Sequence, residues 1–249
     1  MFWDLERFAQ LRPFLTHLTL DCNLDAILDD RELRPAGDLI RASGRLEWLT
    51  RRRPADLPLT IPDPVLGERR VLVRDQIPLR PERILFEPGW TLEHFVARLN
   101  AMVFLWPATS RGPVTAGRRQ IACYARRPGP QPLLIWMDTR LVFALNDPNR
   151  VRLTTVNSGA PPVRGGRHGP RGDTTFHPLA TFPGPPSRVV EVAFEGPLRL
   201  PETARIEPVV ATRISRSSCS TIRRVPKKVR ATQLTHRLQK GRRAVNIKS

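Results

Sequence analysis

His17, Asn23, Arg74 and Glu191 stand in settings where their side chains could do chemistry. His17 ends a short apolar run that begins at Phe14, and a turn-like Asp21-Cys22-Asn23 follows. An amphipathic helix with Leu24, Ile27 and Leu28 on one face comes next. That order sets an imidazole beside a helix N-terminus. Free backbone N–H groups and a partial positive charge at such an end suit a phosphate. The imidazole can donate a hydrogen bond to a ribose hydroxyl, so the two read together as a nucleotide pocket. The plainer alternative makes His17 a packed strand-end residue and Asn23 only an N-cap.

Glu191 lies within Val-Val-Glu-Val-Ala-Phe. Strand alternation sends Val190, Val192 and Phe194 to a core face, and Glu191 emerges on the other with Val189 and Ala193. A mid-strand carboxylate is against residue preference, although a solvated strand face would explain it. Arg74, followed by Asp75 and Gln76, could clamp a pyrophosphate bidentately or form a structural pair with Asp75. Phe104 and Trp106 could stack on a flat ring or pack in the core. Arg164, Arg167 and Arg171 in a Gly-rich stretch could grip a nucleic-acid backbone or remain solvated. His168 and His177 lack ligand spacing to any Cys or carboxylate cluster, so no metal is expected. Ser158 stands in Asn-Ser-Gly, which is not the nucleophile pattern of a serine hydrolase.

The elements that must position these residues divide along the chain. Residues 38–53 read as a helix with a basic end at Arg51, Arg52 and Arg53, and residues 54–69 as a Pro-rich loop. Residues 71–79 read as a short strand. Thr91 can cap a helix over 91–103, with Leu92, Phe95, Val96, Leu99 and Val103 at helical spacing. Residues 133–139, 151–156 and 188–194 combine branched and aromatic residues between turn signals and read as strands. Residues 157–176 form a Gly/Pro/Arg-rich loop, long enough to expect a function or disorder. Helices in the first half and strands in the second predict an α+β domain over 1–210. There is no GxGxxG and no Walker loop.

Bulk composition narrows the classes. The 249 residues are 40% hydrophobic, enough for a real core, and no run of 18 apolar residues suggests a membrane span. The start MFWDLERF lacks a signal-peptide pattern. Cys22, Cys123 and Cys219 are odd in number and without CxxC spacing, which argues for a reducing cytoplasm. Cys123 reads as a small core residue. The net charge of +18 is concentrated late: twelve basic residues and no acid follow Glu207. Residues 211–249, with Arg223, Arg224, Lys227 and Lys228, therefore read as a self-repelling tail suited to a phosphate backbone.

His17, Thr19, Asn23, Leu24, Ile27 and Leu28 together resemble the opening His-x-Thr-x-x-x-Asn-Leu-x-x-Ile-Leu element of the DarT-type ADP-ribosyltransferases. Val190-Glu191-Val192-Ala193-Phe194, with Pro201 and Ile206 to follow, resembles the late strand of that group, whose glutamate is catalytic. Arg-Asp-Gln-x-Pro-Leu at 74–79, Leu-Asn-x-x-Val-Phe-x-Trp at 99–106, Asn157-Ser158-Gly159 and Arg171-Gly172-x-Thr-x-Phe176 resemble an uncharacterised bacterial family of the same wider fold group. The likeness covers about residues 12–210.

The resemblance implies an ADP-ribosyltransferase-like core, a split and bent β-sheet with flanking helices in the N-terminal half. It implies NAD as substrate, with His17 holding a ribose alongside Thr19 and Asn23, Phe104 or Trp106 stacking on nicotinamide, and Glu191 catalytic. The group's essential arginine falls among Arg51, Arg52, Arg53, Arg69 and Arg74, with Arg74 preferred. The acceptor implied is a nucleic-acid base on DNA or RNA, reached through the loop arginines and the tail. NAD hydrolysis, protein modification and a non-catalytic nucleic-acid-binding module are the alternatives. A toxin-like role with an antitoxin partner is a further expectation of the resemblance.

Overall fold

The computed structural model describes residues 3–160 and 169–209. Helix α1 (Leu5–Leu11) leads into strand β1 (Phe14–Leu20), and a 3-10 turn (Asp21–Asn23) enters α2 (Leu24–Asp30). Short β2 (Glu32–Leu33), α3 (Ala36–Ala42) and the hairpin of β3 (Leu57–Asp63) and β4 (Gly67–Val73) follow. Next come α4 (Leu92–Asn100), β5 (Met102–Thr109), short β6 (Gly112–Pro113) and α5 (Thr115–Tyr124). The second half holds β7 (Pro132–Asp138), α6 (Thr139–Leu145), β8 (Val151–Thr154), β9 (His177–Pro178), β10 (Glu191–Glu195), β11 (Leu198–Arg199) and β12 (Arg205–Pro208). Helix starts follow their caps: Asp4 accepts from the Arg7 amide, Thr91 from His94 and Asp138 from Leu141.

The fold mixes helices with a large antiparallel sheet in the order β12-β7-β1-β5-β10-β8-β9. Both faces are covered. Leu15, Ile135, Met137, Val192 and Phe194 join Phe8 of α1 and Phe143 of α6 in the main core. On the other face Met102 and Ala193 pack with Phe95 and Leu99 of α4 and with Phe176. The β3–β4 hairpin is a separate two-stranded sheet that packs on Ile40 of α3.

The sheet opens between β1 and β5. Phe14, Leu15 and Thr16 pair with Ala108, Pro107 and Trp106, and the two strands then part. Beyond that point β1 remains paired with β7 as far as Leu20. Met102 to Leu105 of β5 pair instead on their other edge, with Glu195 to Val192 of β10. His17 to Leu20 therefore stand apart from Met102 to Leu105, and an opening is left within the sheet.

Several local expectations change. The helix expected over 38–53 stops at Ala42, because Gly44 takes a left-handed backbone (φ 71°) and Leu46–Trp48 form only a 3-10 turn. Residues 57–63 are a strand rather than loop: Leu57, Leu59 and Ile61 face inward, and Pro58 and Pro62 face outward. A lone hairpin has free edges, so missing proline donors cost it no ladder bond on that side. The strand expected to reach 79 ends at Val73, where Asp75 turns back to accept the Ile77 amide. Thr91 caps α4 as expected, but Val103 belongs to β5.

Candidate functional site

A cavity of about 260 Å3 fills the opening between β1 and β5, and His17, Thr19, Asn23, Arg74, Phe104, Trp106 and Glu191 all line it. It draws residues from both faces of the sheet, with Ile27 and Val103 from the main core and Met102 and Phe104 from the other side. The inner side of the β3–β4 hairpin contributes Ile61, Val71 and Val73. Arg53, Gln120, Tyr124 and Ser158 also reach it.

His17 lies within β1 rather than at its end. Its Nδ1 is 2.9 Å from the Phe104 carbonyl oxygen. A carbonyl only accepts, so Nδ1 carries the proton and the neutral ring leaves Nε2 as an acceptor. Burial, and then the Arg74 cation, depress the imidazole to about 4, while the Phe104 bond opposes them. The ring is thus neutral at pH 7. It can accept from a ligand hydroxyl, not donate to one as the sequence suggested.

Arg74 follows the end of β4 and has no carboxylate partner among the described residues. The expected pair with Asp75 is not formed: Asp75 is buried and bound to Arg127. Arg74 instead lies over the Tyr124 ring at 4.8 Å, with Arg127 over the same ring at 4.1 Å. The other candidate arginines are otherwise engaged. Arg51 sits over Trp48, Arg52 donates to backbone carbonyls, and Arg69 pairs with Asp63. Arg53 is 5% exposed and donates to the Arg74 carbonyl and to Asn100 Oδ1. Burial, with Arg74 nearby, lowers its guanidinium to about 10. Arg53 is a buried second cation that also fixes the backbone from which Arg74 extends.

Glu191 is 3% exposed, which overturns the solvated-face alternative. Alternation misled because the face that carries Ala193 is itself covered by Phe95 and Phe176. Its Oε2 accepts the Ser158 amide at 2.9 Å, while the Thr154 hydroxyl stands 3.4 Å from it with its single proton directed to the Val156 carbonyl at 2.6 Å. Among the described residues Oε1 has no such bond. Burial pushes the carboxyl above its ordinary value, and hydrogen bonding from Ser158, then the Arg171 charge and the nearby Thr154 hydroxyl, pull against that.

The remaining lining residues have structural duties. Asn23 does not cap α2: its amide accepts from the Leu72 N–H at 2.8 Å and donates to the Leu72 carbonyl at 2.9 Å. This tie holds β4 to the start of α2, two residues before Arg74. Asn23, at the N-cap position of α2, lines the cavity together with Ala26, Ile27 and Asp30 of the helix. Thr19 is buried on β1. Phe104 is partly buried, whereas Trp106 is pressed against α5 at Gly117, where a Cβ would stand 2.7 Å from the indole. Of the two aromatics, Phe104 has the freer ring.

Arg171, expected on a nucleic-acid surface, is 4% exposed and bonds the Asn157 and Ala160 carbonyls. It is an interior residue. Arg164 and Arg167 lie outside the described residues, as do Arg223, Arg224, Lys227 and Lys228 of the tail. Cys123 is exposed, not part of the core. Among the described residues no three His, Cys, Asp or Glu side chains gather as a metal site, and no helix is long and apolar enough to cross a membrane.

The site therefore combines a neutral imidazole acceptor, a guanidinium with no carboxylate partner among the described residues, a partly exposed aromatic ring and a buried carboxylate. Such a set suits a ligand with hydroxyls, an anionic group, a flat ring and a centre where positive charge develops. Gln120 and Tyr124 were missed from sequence, and Ser158 was weighed there only as a hydrolase nucleophile and as part of the Asn157-Ser158-Gly159 turn. Tyr124, the chain's single tyrosine, was the most findable of them. Neither curated proteins nor solved structures include a significant match. The model of a family of unknown function, DUF7002, matches residues 13–204, most of the chain, and the protein belongs to that family.

Proposed function

We propose that this protein is an NAD-dependent mono-ADP-ribosyltransferase with an ADP-ribosyltransferase-like split sheet. One observation carries the reading: His17, Arg74 and Glu191, far apart in sequence, line a single cavity at the point where the sheet opens. The resemblance assigns these three the ribose, pyrophosphate and catalytic roles.

In this mechanism His17 Nε2 accepts from a ribose hydroxyl, and the Arg74 guanidinium, backed by Arg53, neutralises the pyrophosphate. Phe104 stacks on the nicotinamide. The C1′–N bond breaks with its electron pair leaving on the nicotinamide nitrogen. Glu191 opposes the positive charge that grows on the ribose, and the acceptor forms the new bond to C1′. The ionised Glu191 then takes the acceptor's proton. A nucleic-acid base is the acceptor we favour, on the strength of the net charge of +18. A base would have to be single-stranded or flipped to enter.

The test is incubation with radiolabelled NAD and separate pools of single-stranded DNA, RNA and protein, with Glu191→Gln in parallel. Label in a nucleic-acid pool, reduced a hundred-fold or more by the variant, is expected on the scale of a lost electrostatic partner (about 10^2–10^3). Label in protein, or free ADP-ribose alone, would keep the chemistry and replace the acceptor. No label and no nicotinamide release in any pool would reject the enzyme.

A further inference from the structure

We propose that Arg171 is a positioning residue for Glu191: its guanidinium holds the 157–160 turn so that the Ser158 N–H meets the carboxylate. The catalytic consequence rests on the role given to Glu191 above. The structural relationship does not.

Arg171 is 4% exposed and makes no ion pair within bonding distance among the described residues. A buried cation without such a partner is costly, so its remaining contacts need a reason. Its Nη2 donates to the Ala160 carbonyl at 3.2 Å and to the Asn157 carbonyl at 3.4 Å. These are the two ends of one turn, closed by the Ala160 amide on the Asn157 carbonyl at 3.3 Å. Ser158, inside that turn and 1% exposed, donates its N–H to Glu191 Oε2 at 2.9 Å.

The guanidinium has a fixed base to act from. The Arg171 amide donates to the Leu85 carbonyl at 2.8 Å, and its own carbonyl accepts the Glu87 amide at 2.9 Å. Next to it, Gly172 leaves room for Glu87, because a Cβ there would stand 2.5 Å from that carboxyl group. Glu87 in turn accepts the Thr174 amide at 3.2 Å. All of these bonds are made by backbone or by neighbours, so the Arg171 side chain can be removed without cutting them.

The arrangement also has a chemical logic. A direct ion pair would occupy the oxygen that must face the ligand. A cation one turn away favours the ionised carboxylate without bonding either of its oxygens. A guanidinium is more weakly hydrated than an ammonium, so it is the less costly cation to bury at this position.

The test compares wild type, Arg171→Met, Arg171→Lys and Glu191→Gln, each checked for a cooperative melt. The carboxyl titration of 13C-labelled glutamates is followed by NMR without any ligand, and Glu191→Gln identifies the Glu191 signal. In Arg171→Met the Glu191 midpoint is expected to rise by roughly one pH unit, as for a carboxylate deprived of a nearby cation and a hydrogen bond. The acid limb of nicotinamide release would shift with it. In Arg171→Lys the charge is kept but the grip on the turn is weaker, and Ser158 amide exchange is expected to quicken about ten-fold. An unmoved midpoint in a folded Arg171→Met variant would overturn the proposal. Should Arg171→Met fail to fold, unchanged Ser158 exchange in Arg171→Lys would overturn it equally. Because titration and exchange need no substrate, they remain decisive even if wild type releases no nicotinamide, an outcome that would reject only the enzymatic reading.

Discussion

The His17 imidazole is bonded to the Phe104 carbonyl, 2.9 Å from Nδ1, just past the last backbone pairing of β1 with β5 at Thr16 and Trp106. The side chain satisfies a carbonyl that the parting strands leave without a ladder partner. One residue thereby bridges the opening, fixes its own tautomer and turns Nε2 free as an acceptor.

Burial of that ring beside Arg74 makes stability depend on pH in a defined sense. Unfolded, His17 titrates near its ordinary 6.5; folded, at about 4. Between those values the unfolded chain binds the extra proton, so His17 leaves stability intact above pH 6.5 and erodes it as pH falls toward 4. Glu191 works the other way, since its folded carboxyl is raised: relative to acid pH it costs stability as pH rises through its folded value. Urea midpoints at pH 7, 5.5 and 4.5 should fall less steeply in His17→Gln than in wild type. Parallel slopes would assign the acid sensitivity elsewhere.

Arg74 and Arg53 should separate binding from folding. Arg74→Ala removes a cation that no described carboxylate holds, so stability is expected to change by less than about 1 kcal/mol. Binding of NAD or ADP-ribose, followed by calorimetry, should weaken ten-fold or more. Arg53→Met leaves the Arg74 carbonyl without its side-chain donor and Asn100 Oδ1 with only the Gln76 amide at 3.4 Å, and should cost about 1–3 kcal/mol in denaturant unfolding. Equal stability losses in the two variants would contradict this division.

Asn23→Ala should loosen the hairpin from the cavity wall. Two bonds to Leu72 are lost, at about 0.5–1.5 kcal/mol each. Hydrogen exchange across β3 and β4 is expected to rise while β1 and β7 stay protected. Uniform protection loss over the whole domain would mean that Asn23 supports global stability instead.

Gly117 is a steric contact point. An alanine there must push the Trp106 indole or lift α5, and overpacking of this kind costs about 1–3 kcal/mol. Because Gln120 and Tyr124 ride on α5, Gly117→Ala should also weaken ligand binding. A variant as stable as wild type with unaltered Trp fluorescence would show that α5 yields without consequence.

Some of this protein is written in short stretches of its sequence. The Thr91 cap, the α4 spacing of Phe95, Val96 and Leu99, and the strands near 133–138 and 191–195 follow from local periodicity and capping. So does the mixed helix and antiparallel-sheet class. The candidate residues His17, Arg74, Phe104 and Glu191 stood out by type and by resemblance. Only tertiary structure decided where each stands and what surrounds it. Glu191 looked half-solvated because alternation reports two faces but not whether both are covered, and α4 with Phe176 covers the second. Arg171 looked like surface charge because nothing in Arg-Gly-Asp-Thr reports that carbonyls of a distant turn will surround it. Asn23 looked like a cap because its true partner, Leu72, lies 49 residues away. Ladders and caps are made between near neighbours, so their signals are local. Burial of charge, choice of tautomer and the opening between β1 and β5 depend on contacts between distant segments, and those exist only once the chain has folded.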